Sequence, residues 1–133
     1  MRASNDIETA LYTLLTADQI SASAHAVTAT LGDTLPHVHV TRTGGTTSSM
    51  VIEYNQVDFD VYAADQADAM SEASDLCGWV RDLAGKEVGS TCYASEITTL
   101  PYNNPDPLHP TISRATFKAQ ILTRTIERSK NNA

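Results

Sequence analysis

The sequence predicts a two-layer α+β domain, in which a mainly antiparallel β-sheet is packed on one face by two helices. Three observations predict it: two segments with the apolar period of a helix, several segments with a period of two, and short links between most of the extended segments. Short links favour antiparallel pairing, and two amphipathic helices can cover one side of such a sheet. The 133 residues fit one domain, 1–133.

The first half of the chain contains one helix signal and several strand signals. Asn5 and Glu8 have capping-box spacing, and the apolar residues that follow share one helical face, which predicts a helix over about 6–17. Residues 23–30 are a candidate short edge strand. Extended segments are predicted at about 36–43, 50–54 and 57–63, and Gly44-Gly45 is predicted to form a turn or hairpin tip.

The second half continues with a helix and two more strands. Asp65 is the predicted N-cap of a helix with an acidic outer face, and Gly85 is its predicted C′ residue. A strand follows at about 92–99. Residues 100–110 contain four prolines and are expected to be an irregular loop. The last strand, about 112–126, directs alternate residues inward, and 126–133 are expected to form a flexible tail. The inward residues are Ala115, Phe117, Ala119 and Ile121.

The charge of the chain is acidic and unevenly distributed. Nine Lys and Arg against sixteen Asp and Glu give −7, which argues against a nucleic-acid groove or an anionic membrane as the main partner. Residues 113–133 sum to +4, which leaves −11 for the remainder. Complementary surfaces of this kind allow head-to-tail docking of copies, although a solvated basic tail on an acidic domain explains the same numbers. Under the first reading, Arg114, Lys118 or Arg124 contacts an acidic helix face of a neighbour.

No catalytic constellation, cofactor motif or metal motif emerges from the sequence, and the protein is not expected to be an enzyme. His37 and His39 share a strand face, but an exposed pair of imidazoles is far commoner than a zinc site. Asp58 and Asp60 also share a face, and we interpret them as part of a solvated or channel-facing acidic stripe that Glu53 and the helix acids continue. The acidic N-terminus lacks the pattern of a secretory signal, which predicts a cytoplasmic start.

Three segments carry a resemblance to a known family. They are Val-His-Val-Thr-Arg-Thr-Gly-Gly at 38–45, Val-Asp-Phe-Asp-Val-Tyr-Ala-Ala-Asp at 57–65, and the proline-rich loop after Leu-Pro at 100–101 with its long closing strand. In their order and spacing, over about residues 6–126, they resemble the tail terminator (tail completion) proteins of long-tailed bacteriophages, particularly those infecting actinobacteria. The extra Thr and Ser after Gly45 and the length of the proline loop depart from the family's usual pattern.

The resemblance implies a structural virion protein of the head–tail junction, assembled in the host bacterial cytoplasm. Such a subunit forms a homohexameric ring that caps the tail tube, stops addition of tube protein and offers a surface to the head–tail connector protein. DNA passes through the lumen without specific binding, and no membrane is involved. The contact residues expected at a hairpin tip, in the proline loop and on the basic strand are Arg42, Thr43, Gly44, Gly45, Tyr102, Asn103, Asn104, Arg114, Lys118 and Arg124. The acidic lumen or outer face is expected to contain Asp58, Asp60, Asp68, Glu72 and Asp75.

Three other functions remain open at this point. One is another head–tail connector component, such as a head-completion adaptor or stopper, which has a similar size and acidity. Another is a small non-viral binding module. The third is a metal-dependent enzyme that uses His37 and His39.

Overall fold

The computed structural model describes residues 1–18, 23–26 and 35–128. Its two helices are α1 (Ile7–Asp18) and α2 (Gln66–Arg81). The strands described are β1 (Arg2–Ala3), β2 (Ser23–Ala26), β3 (His37–Thr47), β4 (Ile52–Ala63), β5 (Cys92–Asn103), β6 (Ser113–Arg124) and β7 (Ile126–Glu127).

The strands form one five-stranded sheet with the order β2-β3-β4-β6-β5, and a separate pair, β1 with β7. Every pairing is antiparallel except that of β2 with β3. Both helices contribute to the same buried cluster as one face of the sheet. The predicted two-layer α+β architecture is therefore confirmed.

Alternation along β4 and β6 builds the centre of the core. The inward residues predicted for the last strand are all buried, and they lie against the equally buried Val57, Phe59 and Val61 of β4. Phe59 and Phe117 are directly opposite each other, and their rings stack with centroids 4.7 Å apart. Burying side chains of this size supplies most of the driving force for folding.

The helices cover this face as their periodicity predicts. Ile7, Leu11 and Leu15 of α1 are buried, and so are the small and apolar residues along one side of α2. Asp65 is the N-cap of α2, since its carboxylate accepts a hydrogen bond from the Asp68 N–H at 2.9 Å. The prediction for Gly85 was wrong: α2 ends at Arg81 with Asp82 as C-cap, and Gly85, with φ of +86°, occupies the turn beyond.

The predicted turn at Gly44-Gly45 was also wrong. β3 continues through both glycines, and the chain reverses at 48–51, where the Ser48 N–H donates to the Ile52 carbonyl at 2.9 Å. The ladder shifts register between Arg42 and Gly44, and both glycines have positive φ, so they shape a β-bulge inside the strand. A Cβ on Gly45 would collide with the Tyr54 carbonyl oxygen, which explains the need for glycine there.

The proline-rich segment is shorter as a loop than predicted. β5 continues through Pro101 to Asn103, which leaves 104–112 as the loop. A proline is tolerated here because β5 is at the edge of the sheet, where a backbone N–H that points outward needs no partner strand. The ladder of β5 also shifts register on either side of Thr99, close to Pro101. The two predicted segments at 50–54 and 57–63 are one strand, β4.

The chain ends differ in part from the sequence prediction. Ile126 and Glu127 pair with Arg2 and Ala3, so the flexible tail predicted from residue 126 does not begin there. Residues 129–133 lie outside the described residues. β2 lies at the sheet edge as expected of the segment 23–30, whose last four residues are also outside the described ranges.

Removing the ring of Phe117 tests the centre of the core. We expect Phe117→Ala to lower the free energy of unfolding by about 3–5 kcal/mol, because it leaves a cavity opposite Phe59. Leu108→Ala is the control, since this side chain is 83% exposed and its loss should change stability by less than about 0.5 kcal/mol. Urea unfolding of both variants measures the difference, and equal effects would contradict this description of the core.

Candidate contact surfaces

The uncovered face of the sheet holds the residues that alternate with the core. Asp58 and Asp60 of β4 are on this face, away from both helices, because their neighbours Val57, Phe59 and Val61 point into the core. The acids of α2 are on the other layer. The single acidic stripe predicted from sequence was therefore wrong.

Glu53 does not continue that stripe either. It is on the covered side of β4 and is only 7% exposed. Its carboxylate accepts hydrogen bonds from the Ser4 hydroxyl at 2.7 Å and from the Asn5 N–H at 3.3 Å. These contacts connect the segment before α1 to the sheet, so Glu53 has a structural role.

Cross-strand pairs occupy both aspartates in the middle of the open face. Lys118 Nζ is 3.2 Å from Asp58 Oδ2, and the two residues are directly opposite each other in the ladder. The hydrogen bond to Asp58 raises the pKa of Lys118. The Thr116 hydroxyl donates to Asp60 Oδ1 at 2.6 Å, which satisfies this oxygen but leaves the charge of Asp60 in place. Lys118 thus has an ion-pair partner within its own chain.

The loop 104–112 is fixed to one end of the open face by three side chains. The Tyr62 hydroxyl donates to Asp106 Oδ2 at 3.0 Å, and Arg114 Nη1 is 3.7 Å from the same oxygen. Arg114 Nε also donates to the Asn104 carbonyl at 2.7 Å. Asp106 Oδ1 accepts from the Leu108 N–H at 3.0 Å, so one carboxylate bridges the loop and the sheet. Arg114, a predicted contact residue, is therefore committed to the loop.

The surroundings of Asp106 favour its charged form. Partial burial acts to raise the pKa of this carboxyl, but the Leu108 N–H, the Tyr62 hydroxyl and the positive charges of Arg114 and His109 outweigh it, and the pKa is lowered. Burial raises the pKa of Tyr62, which keeps the phenol protonated as a donor. The network stabilises the loop at neutral pH.

The two histidines lie beside this network. His37 and His39 are on the same face, as predicted, with ring centroids 4.6 Å apart, and His39 contacts the Tyr62 ring edge-on at 5.2 Å. His37 is fully buried, so the expected pair of exposed imidazoles was wrong. Within the described residues, no group of three or more His, Cys, Asp or Glu side chains could hold a metal ion.

Exposed apolar side chains are concentrated along one edge of the sheet. Six large hydrophobic residues are exposed among those described, and four of them are on β5 or in the loop after it. The four are Tyr93, Leu100, Tyr102 and Leu108. Of these, the sequence prediction named only Tyr102. For Leu100, Tyr102 and Leu108 the available signal was a large apolar residue beside a proline in the predicted irregular loop, whereas Tyr93 lay in the predicted strand 92–99 and gave no such signal.

The remaining predicted contact residues lie at separate places. Thr43, Gly44 and Gly45 are exposed, but within β3 and not at its tip, and half-buried Arg42 donates its backbone N–H to Glu8 Oε2 at 2.8 Å. Exposed Arg124 has Nη1 3.4 Å from the Tyr93 hydroxyl.

The proline-loop and helix residues of the prediction are mostly at the surface. Asn103 is exposed, and Asn104 is half-buried and donates from Nδ2 to the Thr116 hydroxyl at 3.0 Å. On α2, Asp68 and Asp75 are exposed, while half-buried Glu72 has a pKa raised by burial and by these two neighbours. The predicted residues thus form several surfaces.

Replacing Asp106 by asparagine tests the anchoring of the loop. At neutral pH we expect Asp106→Asn to lower the free energy of unfolding by about 1–3 kcal/mol, because charge-assisted hydrogen bonds are lost. A carboxyl whose pKa is lowered on folding stabilises above its unfolded pKa, and the contribution disappears as pH falls through the folded value. The two proteins should therefore converge in urea titrations below about pH 4. A constant difference down to about pH 2–3 would contradict the role of the charge.

Two comparisons with known proteins gave no match. No protein-family model matches the chain, and no curated protein is similar to it at a significant level. Within the described residues, no helix is long and apolar enough to cross a membrane.

Proposed function

We propose that this chain is a phage tail terminator, a structural virion protein that forms a ring on the end of the tail tube, stops tube polymerisation and provides the head–tail joining surface. The observation that carries the proposal is the concentration of exposed apolar side chains on β5 and the loop 104–112. An exposed apolar strip of this kind is typical of a protein–protein contact. A catalytic function has no comparable support among the described residues.

The position of the strip favours a ring over a symmetric dimer. A cyclic ring needs two different surfaces on each subunit, whereas a two-fold dimer uses one surface twice. The apolar strip is at the β5 edge, and the exposed segment of β3 is at the opposite side of the same sheet. Each subunit therefore has the two different surfaces that head-to-tail contacts require.

The three resembling segments lie on identifiable parts of the fold. The first is in β3, the second runs from β4 into the N-cap of α2, and the third spans the end of β5, the anchored loop and β6. More of the described residues are in strands than in helices, a balance that favours a terminator over a predominantly helical head-completion adaptor. The net charge of −7 suits a ring around DNA, since like charge prevents the genome from adhering.

The charged contact between neighbours depends on Arg124 in this proposal. Arg114 and Lys118 have partners inside the chain, whereas Arg124 is exposed and has a tyrosine hydroxyl as its side-chain neighbour. Arg124 is on the open face of the sheet, whereas α2 with its exposed Asp68 and Asp75 is on the other layer, so we place Arg124 at the junction with the adjacent subunit without the predicted contact to α2. The tube protein and the head–tail connector protein then bind the two open ends of the ring.

The activity proposed is the arrest of tube growth, and it can be measured directly. Polymerising tail tube protein from the same phage genome should give shorter tubes when this chain is added, with extra density at one end in negative-stain images. An unrelated acidic protein of similar mass is the control. A tube-length distribution that does not change, together with bare tube ends, would contradict the proposal. A monomer that binds neither tubes nor connectors would favour the small binding module.

Reversing the charge of Arg124 tests whether this residue lies in the contact between neighbours. We expect Arg124→Glu to weaken self-association at low ionic strength by up to about fivefold per contact, and much less at high salt, where exposed ion pairs are screened. Arg81→Glu makes the same change at another exposed arginine and should have little effect. Sedimentation velocity at two salt concentrations measures both. Equal association of Arg124→Glu and the unchanged protein at low salt would remove Arg124 from the interface.

A further inference from the structure

Among the described residues, both edges of the five-stranded sheet lack a paired strand over part of their length. β5 forms one edge, and no other described strand pairs with its outer side. At the opposite edge, β2 pairs only with residues 37–40 of β3, and Glu8 accepts the N–H of Arg42. Beyond that point, residues 43–47 of β3 are all exposed. Unpaired backbone groups on such edges are ready to pair with another strand.

The regular parts of both edges are at the same level of the sheet. The ladder places Thr46 opposite Tyr54, Tyr54 opposite Leu122, and Leu122 opposite Ala94. Gly44 and Glu96 are joined in the same way through Gln56 and Gln120. Thr47 is level with Cys92, and Ile97 is level with Arg42, because register shifts separate Cys92 from Ala94 and Arg42 from Gly44. Residues 44–46 and 94–96 are therefore the stretches matched in height, and the first of them contains the positive-φ Gly44 and Gly45.

The directions of the two edge strands are also compatible. β3 is antiparallel to β4, β4 to β6, and β6 to β5, so β3 and β5 run in opposite directions. A second copy can therefore set its β3 antiparallel to β5 of the first, and repeating this contact uses two different edges of each copy, as a cyclic assembly requires. The right-handed twist of the sheet turns β3 away from β5 across the three pairings, so the axis that relates the copies is inclined to the strands.

The chemistry of the two stretches suits edge-to-edge pairing. Monomeric proteins protect open edges with lysines, prolines or bulges. Residues 44–46 and 94–96 contain one charge, Glu96, and no proline. Register shifts border both stretches, between Arg42 and Gly44 on β3 and on either side of 94–97 on β5, while Pro101 and β2 protect the far ends of the two edges. The part of each edge that is left for pairing is therefore these three residues.

From these observations we propose that neighbouring copies of this chain join by antiparallel pairing of residues 44–46 of β3 with residues 94–96 of β5, which continues the sheet from subunit to subunit. The occupant of each edge is a second copy, because the chain's own opposite edge matches in height, direction and lack of charge. The inference rests on the proposed function in that a closed ring is the assembly that it explains.

Disulfide trapping tests the pairing directly. In Thr46→Cys/Ala94→Cys, the two new cysteines of adjacent copies are directly opposite each other across the proposed strand pair. Their Cβ atoms are then about 4.5–5.5 Å apart, and a small shift allows the two thiols to form a disulfide. The native Cys77 and Cys92 are buried, and burial raises the pKa of both thiols, so they react slowly. We expect mild oxidation to give a ladder of covalent oligomers on non-reducing gels. Thr46→Cys/Thr98→Cys, in which the second thiol is displaced along β5, is the off-register control and should give few covalent oligomers.

A charge swap gives an independent readout on two exposed residues. We expect Thr46→Glu/Ala94→Glu to weaken each contact by up to about fivefold, because like charges are then directly opposite across the new strand pair. Thr46→Lys/Ala94→Glu should restore or strengthen assembly. Ala67→Glu/Ser74→Glu adds the same charge to the exposed side of α2 and should leave assembly unchanged. Circular dichroism checks that all variants fold.

The outcomes separate this inference from the proposed function. Intact rings that give no covalent ladder in the Thr46→Cys/Ala94→Cys variant, or that tolerate Thr46→Glu/Ala94→Glu, would overturn the edge pairing and leave the terminator function standing. An equal loss of assembly in Ala67→Glu/Ser74→Glu would also overturn it, since general repulsion would then explain the effect. A covalent ladder from a protein that does not arrest tube growth would support the pairing and contradict the terminator function.

Discussion

The twelve-residue pairing of β4 with β6 is the interaction on which the rest of the structure depends. It places Phe59 on Phe117 and sends one set of alternate side chains to the helices. The other set goes to the open face, where it forms the Asp58–Lys118 pair and carries the anchor of the loop 104–112. A slip of one residue would exchange the two sets and bury charge, so the apolar alternation fixes the register and the position of every contact surface.

Local signals in the sequence predicted the elements well, whereas features that depend on long-range pairing were not predictable. The alternation in β4 and β6, the helix α1 and the N-cap Asp65 are properties of neighbouring residues, and the structure confirms them. The capping box expected from Asn5 and Glu8 was wrong: Asp6 Oδ1 accepts the Thr9 N–H at 3.3 Å, Asn5 Nδ2 donates to the Val88 carbonyl at 2.6 Å, and Glu8 accepts the Arg42 N–H. Gly44-Gly45 has the composition of a turn, but its role as a bulge depends on its partner strand β4. Pro101 is compatible with a strand only because β5 is at a sheet edge, and strand order cannot be obtained from one sequence.

The contact residues expected on the basic strand stay a prediction, but two of them have partners within the chain. Arg114 and Lys118 pair with Asp106 and Asp58, which only the folded sheet brings together. The proposed self-association therefore draws on apolar area and on open backbone edges. Both are available on β5, and β3 offers the second edge. In this proposal, the paired sheet fixes both the ion pairs of the open face and the edges that meet in the assembly.

The central claim, that this chain assembles as a terminator ring, is tested most directly by its native mass over a range of concentrations, alone and with tail tube ends, combined with negative-stain images of the largest species. The account predicts closed rings, with six copies giving about 86 kDa from a chain of 14.3 kDa. A protein that stays monomeric at every concentration, and also in the presence of tube ends, would contradict it.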